Sequence, residues 1–128
     1  MVSFLEIKKI IIMVLIMLTL DSLYFFVMGR TFTNMIMSIQ RVAMIFRPLG
    51  AVLCYILLSI ALYYFIIRRN KSPEEAFLLG VIIYGVYDTT NYATLKKWNP
   101  VFAAIDTLWG GILFASTTII TAKFLKGT

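Results

Sequence analysis

The stretch from Leu49 to Ile67, LGAVLCYILLSIALYYFII, contains no charged residue over 19 positions. The hydrocarbon core of a bilayer is about 30 Å thick, and an α-helix needs about 20 apolar residues to cross it. The stretch has this length and composition, so it predicts a membrane-spanning helix and decides the class of protein to which the chain belongs.

Three further apolar stretches complete a predicted bundle. The chain of 128 residues is 61% hydrophobic and 14% charged, whereas a soluble domain is usually near half apolar and about a quarter charged. We therefore predict an all-α, transmembrane four-helix bundle that forms a single domain over residues 1–128. The predicted spans are 7–28, 49–67, 75–95 and 101–122.

Residues that favour helix starts support these boundaries. Ser72 and Glu75 have the spacing of a capping box, in which each side chain satisfies a backbone N–H of the other residue, and Asn99 is a good N-cap for the fourth helix. Proline is favoured in the first turn, where its missing N–H is not needed. The three prolines all lie at predicted helix starts: Pro48, Pro73 and Pro100. Because the last two linkers are short, helices two, three and four should form an antiparallel set.

The first linker, from Arg30 to Arg47, is longer. Its apolar residues recur at helical spacing: Met35, Ile36, Ile39, Val42, Ala43 and Phe46. This pattern predicts a short amphipathic interfacial segment between helices one and two. A plain apolar linker is the alternative.

Basic residues near the span ends favour one orientation of this multi-pass protein. With four spans, the side that holds both termini carries seven lysines and arginines, and the opposite side carries five. By the positive-inside rule, we predict that both termini face the cytoplasm.

Three aspartates, Asp21, Asp88 and Asp106, interrupt the apolar spans. A charged Asp at the centre of a transmembrane helix costs about 2.5–3.5 kcal/mol on insertion scales. Along the helix axes they lie roughly 13, 12 and 9 Å from the helix ends opposite the termini. The similar depths predict one polar site on helices one, three and four, with helix two as apolar support. Burial and like charge disfavour ionisation, so we expect the three carboxyl groups to share one or two negative charges.

Hydrogen-bond donors lie one helical turn from these aspartates. The candidate ligand- or ion-binding residues are Asp21, Asp88, Asn91, Asp106, Tyr84, Tyr24 and Trp109. Arg30 and Arg47 are candidate charge partners. Small residues near the aspartates predict a close approach of helices three and four: Gly85, Ala103 and Gly110. Residues 21–24 (DSLY) and 106–109 (DTLW) share a pattern, which is either a trace of duplication or a coincidence.

The composition also limits the chemistry. The chain has no histidine, which removes imidazole bases and His-ligated metals. Its single cysteine, Cys54, excludes an intrachain disulfide and is interpreted as a small buried apolar residue. The basic residues form short clusters between apolar runs, so we predict no nucleic-acid partner. No metal, no cofactor and no catalytic residue is assigned.

A motif in the third span resembles a known family. From Tyr84 to Trp98 the chain reads YGVYDTTNYATLKKW, which is similar to the pattern Y-G-x-Y-D-x-T-N-x-A-T-L-x-x-W of the family catalogued as domain of unknown function 2177. Shorter matches occur at residues 20–24 (LDSLY) and 106–110 (DTLWG). The resemblance implies a four-helix membrane protein and supplies no activity.

Three functions follow as hypotheses. The first is binding or transport of a proton, a cation or a cationic ligand by the aspartate cluster. The alternatives are a structural or accessory membrane protein and, with less support, a lipid-modifying membrane enzyme, so a non-enzymatic role is favoured. The expected partners are the lipid bilayer, a small cation or amphiphile, and a second copy of the chain.

Overall fold

The computed structural model describes residues 3–40 and 47–126, and four α-helices make up most of them. The helices are α1 (Phe4–Gln40), α2 (Pro48–Leu62), α3 (Pro73–Thr94) and α4 (Pro100–Lys126), and a π-helical turn, Tyr63–Ile67, continues α2. No strand occurs in these two ranges. The predicted all-α class is confirmed.

The helix starts follow from local chemistry, as predicted. Each of the three prolines is the first residue of its helix. The capping box is present, because the Ser72 hydroxyl accepts from the Glu75 N–H at 3.3 Å and the Glu75 carboxylate accepts from the Ser72 N–H at 3.4 Å. The Asn99 side chain accepts from the N–H groups of Val101 and Phe102 at 2.8 and 3.2 Å. These caps satisfy N–H groups that have no partner within the helix.

The first helix is longer than the sequence pattern suggested. It has 37 residues and is therefore ~55 Å long, which exceeds the thickness of a bilayer core. Between Arg30 and Gln40 the chain is helical, as expected for the amphipathic segment, but it continues α1 without a break because no proline interrupts it. Val42, Ala43 and Phe46, the rest of that segment, lie outside the described residues.

This extension of α1 packs against the turn between α3 and α4. Met35 is buried with Trp98 and Phe102, and its sulfur accepts from the Asn99 N–H at 3.3 Å. The apolar face that predicted an interfacial helix therefore packs against protein at Met35, Ile36 and Ile39, the part of it that the structure describes.

The helices α3 and α4 form the closest pair in the bundle. Gly80 lies against the backbone of Gly110, and Gly85 lies near Thr107, so residue numbers fall along α4 as they rise along α3. The pair is antiparallel, as predicted. Gly110 contributes as expected, whereas Gly85 makes only ordinary van der Waals contact and Gly80 was not among the predicted small residues.

The core of the bundle is apolar, and so is its surface. All four helices contribute to the main buried cluster: Met13, Met17, Leu58, Leu62, Ile66, Ala76, Leu113 and Phe114. Large apolar side chains also point outward, such as Phe26 at 88% and Leu57 at 67% exposed. An outer surface of this kind suits lipid rather than water.

Three helices of the described residues are long and apolar enough to cross a membrane. They are Phe4–Gln40, Pro48–Ile67 and Pro100–Leu125. The remaining helix, α3, has 22 residues and carries a buried aspartate, Asp88. Its role as a fourth span stays a prediction.

Candidate functional site

Two hydrogen bonds join α1 and α4, and in each of them an aspartate of one helix accepts from an aromatic side chain of the other. The Trp109 indole N–H of α4 donates to the Asp21 carboxylate of α1 at 2.9 Å. In return, the Tyr24 hydroxyl of α1 donates to the Asp106 carboxylate of α4 at 2.8 Å. The two bonds are related by the antiparallel course of the helices, so each helix supplies one acceptor and one donor.

The two donors also contact each other. The rings of Tyr24 and Trp109 are stacked, with centroids 4.7 Å apart and an interplanar angle of 4°. Each donor lies three residues after an aspartate of its own helix, and side chains at that spacing point the same way. Each ring therefore reaches the aspartate of the facing helix. The shared DSLY and DTLW pattern thus has a structural use, whatever its origin.

Helix α2 adds a polar group to the site that its apolar sequence did not predict. The Tyr55 hydroxyl donates to the second oxygen of Asp21. Both Asp21 oxygens therefore have donors, one from α2 and one from α4. This corrects the expectation that helix two gives apolar support only, since a tyrosine can pack as an apolar ring and donate at its tip.

Asp88 is the most deeply buried of the three aspartates, with an exposure of 0%. Its Oδ2 accepts from the Thr107 hydroxyl at 3.4 Å, and its carboxyl group interacts with that of Asp106 and with the Trp98 indole. Its Oδ1 has no hydrogen-bond donor among the described residues. Asp88 and Asp106 therefore form a carboxyl pair, and one oxygen of the pair is buried without a partner.

A cavity of about 420 Å³ lies next to these groups. Asp21 and Asp106 line it, and none of its described lining residues is a lysine or an arginine. The rest of its lining comes from all four helices: Tyr24, Phe25, Met28, Gly29, Phe32, Ala51, Cys54, Tyr55, Leu58, Ile83, Tyr84, Tyr87 and Phe102. The described residues along a larger groove of about 650 Å³ on α3 and α4 are all uncharged.

A family model described as predicted membrane protein (DUF2177) matches residues 6–123, from the first turn of α1 almost to the end of α4. The chain belongs to this family. No curated protein and no solved structure matches it. The matched range contains all three aspartates and the whole cavity, so the function of this family member has to be argued from the chemistry of the site.

The other predicted site residues make no hydrogen bond or ion pair with the three aspartates within the described residues. Tyr84 lines the cavity, but its ring packs on Gly110 and its hydroxyl bonds to none of the described residues. Asn91 interacts with Tyr87, one turn away on α3. Arg30 and Arg47 are exposed, and neither forms an ion pair within the described residues. Neutral hydroxyl and indole donors take the place of these arginines at the carboxylates.

Cys54 differs from its interpretation as a buried apolar residue. Its side chain is exposed and lies at the cavity lining on α2. Because it is the only cysteine of the chain, it offers a natural position for chemical labelling at the site.

The arrangement favours recognition of positive charge. It contains carboxylates, aromatic faces and hydroxyl donors. No group of three acidic, cysteine or histidine side chains within the described residues has a geometry that could hold a metal ion. The acidic groups are Asp21 of α1 and Asp106 of α4, which line the cavity, and the buried Asp88 of α3 beside Asp106.

Proposed function

We propose that this membrane protein binds a cationic ligand inside the four-helix bundle, as a binding or transport protein. The observation that carries the proposal is that Asp21 and Asp106 face one cavity whose described lining has no basic residue. The cavity volume of about 420 Å³ falls in the range of about 300–1,000 Å³ that is typical of small-molecule sites.

The walls of the cavity favour an organic cation over a hydrated inorganic ion. Four tyrosines and three phenylalanines contribute to its lining. A cation over an aromatic face gains about 2 kcal/mol when the site is desolvated. A quaternary or alkylated ammonium group loses little hydration on entering such a site, so the proposed ligand class is an ammonium group attached to an apolar body.

Asp106 and Asp21 are expected to contribute unequally. Both oxygens of Asp21 accept hydrogen bonds, from Trp109 and Tyr55. Within the described residues, Asp106 accepts one hydrogen bond from an N–H or O–H group, the Tyr24 hydroxyl, at its Oδ1. Among the described residues no N–H or O–H group donates to its second oxygen, and its other polar neighbour is the Asp88 carboxyl. Asp106 should therefore be the principal contact for the positive charge.

The preference of the cavity for positive charge can be tested with two isosteric probes, benzyltrimethylammonium and its neutral carbon analogue neopentylbenzene. We expect the purified protein in nanodiscs to bind the cation at least tenfold more tightly, because only the cation gains from the carboxylates. Asp106→Asn should weaken cation binding at least tenfold and Asp21→Asn by less. Titration calorimetry measures the affinities, and protection of Cys54 from N-ethylmaleimide locates the site.

Glu74→Gln serves as the control for this prediction, since Glu74 is an exposed carboxylate at the start of α3 and its loss should leave the affinity unchanged. Equal binding of the two probes, or unchanged affinity in Asp106→Asn, would refute the cation site.

A structural or accessory role is the second candidate, and the reciprocal bonds between α1 and α4 favour it. Asparagine keeps a carbonyl oxygen that accepts from Tyr24 and Trp109. A variant with all three aspartates replaced by asparagine should therefore fold while lacking the proposed binding charge. If this variant fully replaced the wild-type protein in cells, the structural role would be the correct one.

The orientation of the termini is also a proposal. We infer that α3 crosses the membrane, since it runs antiparallel to α4 and is long enough at ~33 Å, and that both termini face the cytoplasm. A fluorescent reporter that matures only in the cytoplasm should then be active at either end of the chain. Activity at one end only would indicate three spans, with α3 not crossing.

A further inference from the structure

We propose that Asp88 and Asp106 share one proton and that a cation entering the cavity displaces it. The exchange half of this inference rests on the proposed cation site. Asp88 does not line the cavity. Its role is to hold the shared proton, so that the empty site does not carry an extra buried negative charge.

The first support is the unpartnered oxygen of Asp88. The side chain is fully buried, and its Oδ1 has no donor among the described residues. A buried charged oxygen without a donor is strongly unfavourable. Thr107 satisfies the other oxygen at 3.4 Å, so the remaining one needs a proton or a donor of its own.

The second support is the identity of the neighbour. The Asp88 carboxyl interacts with the carboxyl of Asp106, and two ionised carboxylates only accept hydrogen bonds. One shared proton turns this repulsive contact into a strong O–H···O bond, as in carboxyl pairs that hold a single proton between them. The Trp98 indole interacts with Asp88, but its N–H makes no hydrogen bond with the described residues.

The third support is the position of Asp106 between two environments. It interacts with the buried Asp88, and it also lines the cavity. The titratable groups that face the pair or the cavity come from α1, α2 and α3, and none of them is basic: Asp21, Tyr24, Cys54, Tyr55, Tyr84 and Tyr87. A proton and an incoming cation are thus the two positive charges that can compensate Asp106.

The exchange conserves charge. The O–H bond within the pair breaks, the proton leaves for water, and the bound cation faces the Asp106 carboxylate. The net charge of the site is the same before and after. Binding should therefore strengthen as pH rises, by up to about tenfold per pH unit over the range in which the pair holds its proton.

Infrared spectroscopy of the reconstituted protein at neutral pH tests the shared proton without any ligand. We expect a protonated-carboxyl C=O band that shifts in D₂O, persists in Asp21→Asn and disappears in both Asp88→Asn and Asp106→Asn. The amide of either asparagine can donate to the remaining carboxylate, so these variants should fold. A wild-type spectrum without this band, or a band that survives in both variants, would overturn the proposal.

Calorimetry with benzyltrimethylammonium in two buffers of different ionisation enthalpy tests the exchange. The wild-type protein should release about one proton per bound probe. Asp88→Asn should bind the probe at least as tightly, release none and lose the pH dependence. Binding without proton release would overturn the exchange while the cation site stood. Absence of binding would overturn both, and the infrared result would then show separately whether the pair holds a proton.

Discussion

Gly80→Ala is expected to destabilise the bundle by about 3 kcal/mol, because an added methyl group has no room between α3 and α4. A Cβ on Gly80 would overlap the carbonyl group of Gly110 and lie 3.0 Å from the Cα of Gly111. These atoms belong to the backbone of α4 and cannot rotate away. The two helices would have to separate, and this would also disturb the contact between Asp88 and Asp106.

Gly50→Ala is the matched control, since nothing lies within 4 Å of a Cβ at Gly50 on α2. This substitution should be neutral or stabilise the protein by up to about 1 kcal/mol, because alanine favours the helix more than glycine does. Unfolding by sodium dodecyl sulfate in mixed micelles, followed by circular dichroism, measures both changes. The same sign and size for the two variants would contradict backbone contact at Gly80.

Trp109→Ala is expected to cost about 3 kcal/mol, in the range of other large-to-small aromatic substitutions. The substitution removes the ring that stacks on Tyr24 at 4.7 Å and packs against the main buried cluster. It also removes the donor to Asp21, which leaves one oxygen of that carboxylate without a partner. Packing and hydrogen bonding are lost together at one position.

Trp109→Phe separates these two contributions. It keeps an aromatic ring and loses only the N–H, so it should cost about 1 kcal/mol. Leu108→Ala is the control, because Leu108 is the preceding residue of α4 and its side chain is 51% exposed. Its effect should stay within about 0.5 kcal/mol. The same unfolding titration measures all three variants. Equal losses in Trp109→Ala and Leu108→Ala would argue against a central role for the indole.

Local patterns predicted much of the fold. Runs of apolar residues identified the helices, and the prolines, the Ser72–Glu75 capping box and Asn99 placed three helix starts correctly. These features depend only on neighbouring residues. The end of α1 was not predicted, because contacts of Met35 with Trp98 and Phe102, far away in sequence, accompany its continuation.

The candidate site was predicted in part. The cost of burying charge identified the three aspartates as candidates, and their distances from the helix ends, counted in residues, gave them similar depths. The partners of these aspartates were less predictable. Tyr55 lies in an otherwise apolar helix, and nothing in its sequence context distinguishes it from a lipid-facing tyrosine.

By itself, the sequence determined that this chain is a helical membrane protein with three aspartates that are costly to bury, because hydrophobicity, capping and charge act over short stretches of chain. Only the tertiary structure decided how the aspartates are used. It joined Asp21 and Asp106 to donors on facing helices, placed Asp88 beside Asp106 without a donor for its Oδ1, and left a cavity next to them. Which side chains meet depends on the rotation and spacing of the packed helices, and Gly80 and Gly110 set that spacing for α3 and α4.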